Sequence, residues 1–238
     1  MDIKAYKKQF TYSYSLGAFP TIELLKTNNI NFKYILIHST FENKEVLTLI
    51  NKLAKNKVDI IYNDKLINKL SPKENCYVIG VFEKYEMRLD DSTNHILLDN
   101  PSDMGNLGTI IRTSLGFGIK NIGIIKPGVD IFNPKVIRAS MGAIFHVNIQ
   151  YFSSYEEYKN TFKKHIPYSF MLQAKNTLQN IKFTSSLATL IFGNEATGLD
   201  KKYLTENSII ISHTKDIDSL NLPTAVGIAI YELTKQQQ

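Results

Sequence analysis

One arginine, Arg112, stands where chemistry is easy to place: Gly108 lies four residues before it and Gly116 four after. On a helix these positions share a face, so the neighbours of this long cation are bare backbone. Such an arginine can approach a phosphate or a partner chain closely. The same pattern fits an ordinary helix whose arginine reaches into solvent. Two more stretches carry polar groups in comparable settings. In FGNEATGL (residues 192–199) Gly193 and Gly198 permit a tight turn with Glu195 at its tip. Further on, Ser219 and Asn221 precede Pro223, which suits the first turn of a helix. Small polar side chains there can hold a polar ligand or simply cap the helix.

The elements that must position these groups follow from patterning. Leu97 and Leu98 close a short apolar strand, turn formers fill residues 100–103, and Gly105 and Gly108 bracket Asn106 where a helix should begin. Leu107, Ile110, Ile111 and Leu115 give that helix an apolar stripe. LATLIFG (187–193) and SIIIS (208–212) read as strands feeding the other two stretches, and the helix over 223–235 is apolar nearly all round, hence buried. Strands are also expected at 32–38, 57–62, 76–82, 95–98, 122–125, 145–151 and 168–173, with helices near 20–28, 42–54, 64–70, 106–116, 154–164 and 200–205, and one from Pro134. Residues 1–14 read as a helix or arm. Strands alternating with helices specify an α/β fold. The charged, turn-rich run 84–94 is the expected linker between a small α/β domain (1–83) and a larger one (95–238) with a mostly parallel sheet of five or six strands. Ligands of such sheets sit beyond the carboxyl ends of the strands, where all three stretches fall.

Bulk properties narrow the function classes. With 238 residues and 43% hydrophobic content the chain can bury a sizeable core. No run approaches the roughly 20 apolar residues of a membrane span. The start, MDIKAYKKQF, lacks an apolar signal core, so a cytoplasmic protein without a membrane partner is expected. Cys76 is the only cysteine and sits in a strand-like run, which reads as a packed structural thiol. The five histidines show no metal-ligand spacing, and no metal site is expected. A net charge of +6 favours a polyanionic partner. Lys4, Lys7 and Lys8, interleaved with Tyr6, Phe10, Tyr12 and Tyr14, suit phosphate contact with base stacking, or a solvated amphipathic helix.

Taken together, NLGTIIR, GNEATG and SLNLPTA, in this order and at the ends of three strands, resemble the three motifs of the SpoU (TrmH-like) RNA 2′-O-methyltransferases of the SPOUT superfamily. The resemblance covers about residues 94–235, and RASMGAIF (138–145) is similar to the segment between the first two motifs. It implies a SPOUT α/β knot, a deep trefoil in which the C-terminal segment threads a loop, behind a small α/β RNA-binding domain. It further implies a homodimer that binds S-adenosyl-L-methionine. Carried over by motif, Gly193, Ile211 and Leu220 would contact the cofactor, and Asn106, Arg112, Glu195, Ser219 and Asn221 fall on active-site positions. Two departures stand out. Ile211-Ser212-His213 replaces the usual Ile-Pro-Met, and Pro223 stands where Ser is frequent.

Methylating a ribose 2′-hydroxyl requires a group to receive its proton, an in-line approach and a held phosphate. The expectation is that Arg112 holds the target phosphate and assists deprotonation. Asn106 and Asn221 would fix loops or substrate, Glu195 would order Arg112 or its own loop, and Arg138 would meet RNA or the partner subunit. Ribosomal RNA is the expected substrate ahead of transfer RNA. The alternatives are a dinucleotide-dependent enzyme, against which GNLGTI lacks GxGxxG spacing, and a non-catalytic RNA-binding protein of the same fold.

Overall fold

The structure, a computed structural model, describes residues 3–71 and 75–237. Two compact units share the chain: Met1–Glu86 with Asp130–His146, and Met87–Val129 with Val147–Gln238.

The first unit holds β1 (Tyr12–Leu16), α1 (Ala18–Leu25), β2 (Phe32–Ile37), α2 (Lys44–Ala54), β3 (Ile60–Tyr62), α3 (Asp64–Leu70) and β4 (Val78–Glu83). Its sheet runs β1-β4-β2-β3, with β4 antiparallel to both neighbours and β2 parallel to β3. Strand alternation sorts two cores. Ile35, Ile37 and Val78 pack with Ile22, Leu25, Ile50 and Ala54 of α1 and α2. Leu36, Ile79 and Val81 pack with Ile3, Tyr14, Ile67 and Cys76. Burial pushes the Cys76 thiol pKa up, as a packed structural thiol requires.

Residues 3–11 form no helix, and the expected helix or arm gives way at Tyr12 to β1; residues 1 and 2 lie outside the described residues. The run from Tyr12 alternates instead: Tyr14 faces the core, while Ser13 and Ser15 turn to the other face. There Ser15 meets Thr21 at 2.9 Å and Ser13 donates to the Phe132 carbonyl. Those partners make buried serines compatible with a strand. Asp130–His146, expected within the larger domain, packs with the first unit, where Phe132 and Phe145 cover Phe82 with ring centroids 6.2 and 5.2 Å away.

In the second unit the elements are β5 (His95–Asp99), α4 (Met104–Gly116) and β6 (Asn121–Ile125). After α5 (Pro134–Ala139), which counts with the first unit, come β7 (Asn148–Phe152), α6 (Tyr155–Thr161), β8 (Ile166–Ser169), β9 (Asn176–Thr177), β10 (Ala188–Phe192), β11 (Ile209–Ile210) and α7 (Leu222–Gln237). The five-stranded sheet runs β7-β6-β5-β10-β8 and is parallel throughout. β5, β6 and β10 are buried along almost their whole length, as helices on both faces demand. SIIIS does not join this sheet. Only Ile209–Ile210 is a strand, and it pairs with β9, which patterning had not distinguished from loop. Two-residue strands carry too few alternations to read. Phe145 and His146 belong to a 3-10 turn (Ala143–His146) ahead of β7. The strand order reverses between β5 and β10, and their carboxyl ends lie side by side at this switch point.

Candidate active site

Because β5 and β10 are neighbours, the loops that follow them meet. Asp103 caps α4, accepting the Asn106 backbone N–H at 2.7 Å. In a capping box a glutamate three residues on would reach back to the cap's own N–H. Here Glu195, from the loop after β10, fills that place. It accepts the Asp103 N–H at 3.2 Å, the Ser102 N–H at 3.1 Å, the Ser102 hydroxyl at 2.8 Å and the Asn106 side-chain amide at 3.3 Å. Burial opposes ionisation of Glu195, yet hydrogen bonds from its own backbone, Ser102 and Asp103 outweigh it and hold the carboxyl below its ordinary pKa. A carboxylate at the amino end of α4 also faces the positive end of the helix dipole.

Asn194 completes the junction. Its side-chain oxygen accepts the Ala196 N–H at 2.9 Å, and its amide donates to the Asn100 carbonyl at 2.8 Å. Asn100 itself adopts φ 54°, a left-handed conformation that asparagine tolerates. At Gly193 the chain doubles back so tightly that a Cβ would lie 2.1 Å from the Gly198 carbonyl carbon and 2.4 Å from the Leu199 nitrogen. Only glycine fits.

The third stretch closes the site. Phe192, Gly193, Ile211, Leu220, Asn106, Glu195, Ser219 and Asn221 all line one cavity of about 410 Å³. Its apolar wall includes Phe170 and Phe192, stacked with centroids 4.5 Å apart and planes 11° from parallel. The stack follows from register, since Ile191 pairs with Ser169 and the next residue of each strand is phenylalanine. The lining contains no lysine or arginine and one carboxylate, Glu195. Aromatic walls, close backbone and a carboxylate with no lysine or arginine in the lining fit a planar heterocycle joined to a cationic group. S-adenosylmethionine has this make-up, and Gly193, Ile211 and Leu220, the expected cofactor contacts, line the cavity.

Every expected cofactor contact and four of the expected catalytic residues therefore share this cavity. Arg112 does not line it: the side chain is exposed on α4, about 9 Å along the axis from Asn106. Among the described residues it has no hydrogen-bond or ion-pair partner, and Glu195 turns to Ser102 and Asp103 rather than to it. Arg138 lies on α5 in the first unit. Ser219 and Asn221 make no side-chain hydrogen bond among the described residues, so capping does not consume them. His213, the departure from the family pattern, lines the cavity with Nδ1 2.8 Å from the Ile211 carbonyl. Sequence reasoning missed Ser102, Asp103, Asn194 and the Phe170–Phe192 stack. An Asn after a glycine at the start of a turn, able to accept the N–H two residues on, is an Asx-turn signature that marks Asn194.

The model of the SpoU rRNA Methylase family matches residues 93–231, which contain the whole site. This chain belongs to that family. Among relatives, it is 33% identical over 161 residues to the 23S rRNA (guanosine(2553)-2′-O)-methyltransferase RlmP of Bacillus subtilis, with 66% of this chain and 64% of the relative covered. An uncharacterized tRNA/rRNA methyltransferase of Synechocystis is also 33% identical, over 151 residues, covering 60% of this chain and 53% of the relative. The chain thus spans between about half and just under two thirds of these two relatives. In fold, the SpoU methyltransferase AviRb of Streptomyces viridochromogenes in complex with AdoMet matches with a TM-score of 0.81 at 19% identity, over 95% of this chain and 91% of that one. No helix among the described residues is long and apolar enough to cross a membrane.

Proposed function

We propose that this SpoU family member is an S-adenosylmethionine-dependent RNA methyltransferase acting on a ribose 2′-hydroxyl, in ribosomal RNA ahead of transfer RNA. The observation that carries this reading is the convergence of three loops on one cavity that has a carboxylate, aromatic walls and no lysine or arginine in its lining. The ribose specificity and the choice of ribosomal RNA draw support from the relative RlmP, a 23S rRNA 2′-O-methyltransferase by name. The trefoil knot and the homodimer belong to the same proposal.

Bound there, S-adenosylmethionine would supply a methyl group on a cationic sulfur. The protein's part is to position. Gly193, Ile211 and Leu220 hold the cofactor, largely through backbone, and Phe170 and Phe192 exclude water from one side. Asn106, Ser219 and Asn221 present polar groups to the ribose end. Glu195 keeps the first two loops in register and contributes negative charge, but its oxygens are committed and its acidity is raised, so it is not the acceptor of the hydroxyl proton. A guanidinium is cationic at ordinary pH and bidentate toward phosphate, which makes Arg112 the group that holds the phosphate beside the target ribose. Because Arg112 stands away from the cavity, the bound RNA must span from one to the other.

A reading as a non-catalytic RNA binder is favoured by that same separation. Titration calorimetry with S-adenosylmethionine, followed by transfer of labelled methyl to total RNA and mapping of alkali-resistant 2′-O-methyl sites, distinguishes the two. Binding and ribose labelling are expected. Binding without transfer would leave the non-catalytic reading, and a label on the bases would overturn the ribose assignment.

A further inference from the structure

The lysines and aromatic residues near the amino terminus, which sequence alone left open between a solvated helix and a nucleic-acid contact, come together at one end of the first unit's sheet. β1 enters there and β4 leaves: Tyr12 pairs with Glu83, and the Lys84 N–H donates to the Thr11 carbonyl at 2.8 Å. The Phe10 and Tyr12 rings are stacked, 5.1 Å between centroids and 18° between planes. Lys33 Nζ lies 5.9 Å from the centre of the Tyr12 ring and Lys84 Nζ 4.8 Å from that of Tyr6. Lys84 also donates to the Lys8 carbonyl at 2.8 Å, and burial, with Lys8 close by, lowers its pKa against the opposing charge of Asp130.

The carboxylates of this edge are already engaged. Glu83 takes Lys33 at 3.2 Å and the Asn31 amide at 3.2 Å, and Asp130 accepts the Tyr6 hydroxyl. Lys7 and Lys8 are exposed and carry no ion pair among the described residues. Lysines in excess of the carboxylates, with Lys7 and Lys8 unpaired, next to partly exposed, ordered rings favour an extended polyanion with flat faces of its own. We propose that the edge formed by Lys7, Lys8, Phe10, Tyr12, Lys33 and Lys84 is a docking surface for unpaired RNA, with phosphates on the lysines and a base stacked on the Phe10–Tyr12 pair. A duplex satisfies only half of this chemistry, because its bases are already stacked on each other. The surface selects a loop or bulge. The choice of RNA as polyanion rests on the methyltransferase reading, while the cation and ring geometry does not.

The test uses the full chain and two fluorescein-labelled probes, an unstructured RNA dodecamer and a perfect RNA duplex of the same length. Binding is followed by anisotropy across a salt series, with S-adenosylmethionine calorimetry alongside. The wild type is expected to prefer the single strand. Lys7→Ala with Lys8→Ala should weaken single-strand binding at least ten-fold at low salt and reduce the slope of log K against log salt by about 1.4, two contacts at roughly 0.7 each. Phe10→Ala should weaken single-strand binding about ten-fold with little effect on the duplex. Lys7→Arg with Lys8→Arg keeps the charge and should bind like the wild type, which separates lost charge from lost folding. Alanine variants that bind like the wild type, or a duplex bound as tightly as the single strand, would overturn the assignment. Loss of S-adenosylmethionine binding in the wild type, with the lysine effect intact, would remove the methyltransferase reading and leave this surface standing.

Discussion

Glu195 receives the Ser102 hydroxyl at 2.8 Å through one oxygen and the Asp103 backbone N–H at 3.2 Å through the other. The tip of one loop thus completes the cap of a helix that begins more than ninety residues earlier in the chain. The relationship explains why a glutamate belongs at that tip, and it makes the cavity's shape depend on one ionised group.

Replacing Glu195 by Ala should therefore act on structure and ligand together. It removes the acceptor of the exposed Asp103 N–H, which water can replace, and the cavity's one carboxylate, costing about 0.5–1.5 kcal/mol in chemical denaturation. S-adenosylmethionine affinity should fall at least ten-fold. Glu195→Gln retains one acceptor oxygen without the charge, so its loss of stability should be smaller than its loss of affinity. Equal losses would argue against an electrostatic part for Glu195.

Two glycines make a matched pair. Gly193→Ala places a methyl group 2.1 Å from backbone that cannot move aside without opening the turn. Binding of S-adenosylmethionine should be abolished in calorimetry. Gly116→Ala meets nothing within 4 Å, and on helix propensity it should leave stability unchanged or up to about 1 kcal/mol higher. Its cofactor affinity should match the wild type, whereas methyl transfer to RNA should drop if the bare backbone beside Arg112 lets phosphate approach.

Arg112→Ala should abolish methyl transfer and leave calorimetric binding of S-adenosylmethionine within two-fold of wild type, a bound of roughly 0.4 kcal/mol. Arg112→Lys should restore little, since an ammonium cannot grip a phosphate through two parallel N–H groups. Full turnover in the alanine variant would displace Arg112 from the mechanism.

Acid should weaken the second unit. His95 is fully buried at the start of β5, where Nδ1 meets the Tyr158 hydroxyl at 2.7 Å and Nε2 the Asp90 carbonyl at 2.7 Å. Burial lowers its pKa to about 4, and the neighbouring His165 is lowered in the same direction. Near neutrality His95 is uncharged whether the chain is folded or not, so its contribution is fully present above the unfolded value of about 6.5. As pH falls from there toward 4, only the unfolded chain takes up the proton, and stability drops by roughly 3 kcal/mol. Urea melts across this range should show the decline, and His95→Gln should flatten it.

Much of the second unit was legible because its signals are local. Leu97 and Leu98, the Leu107–Ile111 stripe and LATLIFG are strong periodic patterns, and β5, α4 and β10 lie where these place them. The tight turn beside the cavity was legible through its glycines, since the approach of Gly193 to Gly198 leaves no room for a Cβ. The junction was not, because the partner of Glu195 is set by which strands neighbour each other, and no periodicity encodes the β5–β10 pairing. β1 was misread because its buried serines look like surface residues until Thr21 and Phe132 are in place. The position of Arg112 outside the cavity lay beyond reach as well: motif spacing places a residue on a helix but does not say which way that helix faces.

The discontinuity of the first unit bears on how the protein is made. A ribosome delivers β1 to β4 well before Asp130–His146, so Phe82 emerges without Phe132 and Phe145 to cover it. The amino-terminal unit cannot close as soon as its own sheet is synthesised; it waits for a segment that follows β6 and returns the chain to β7. A nascent or truncated chain ending before Asp130 is expected to display that apolar strand, a ready target for chaperones and for aggregation.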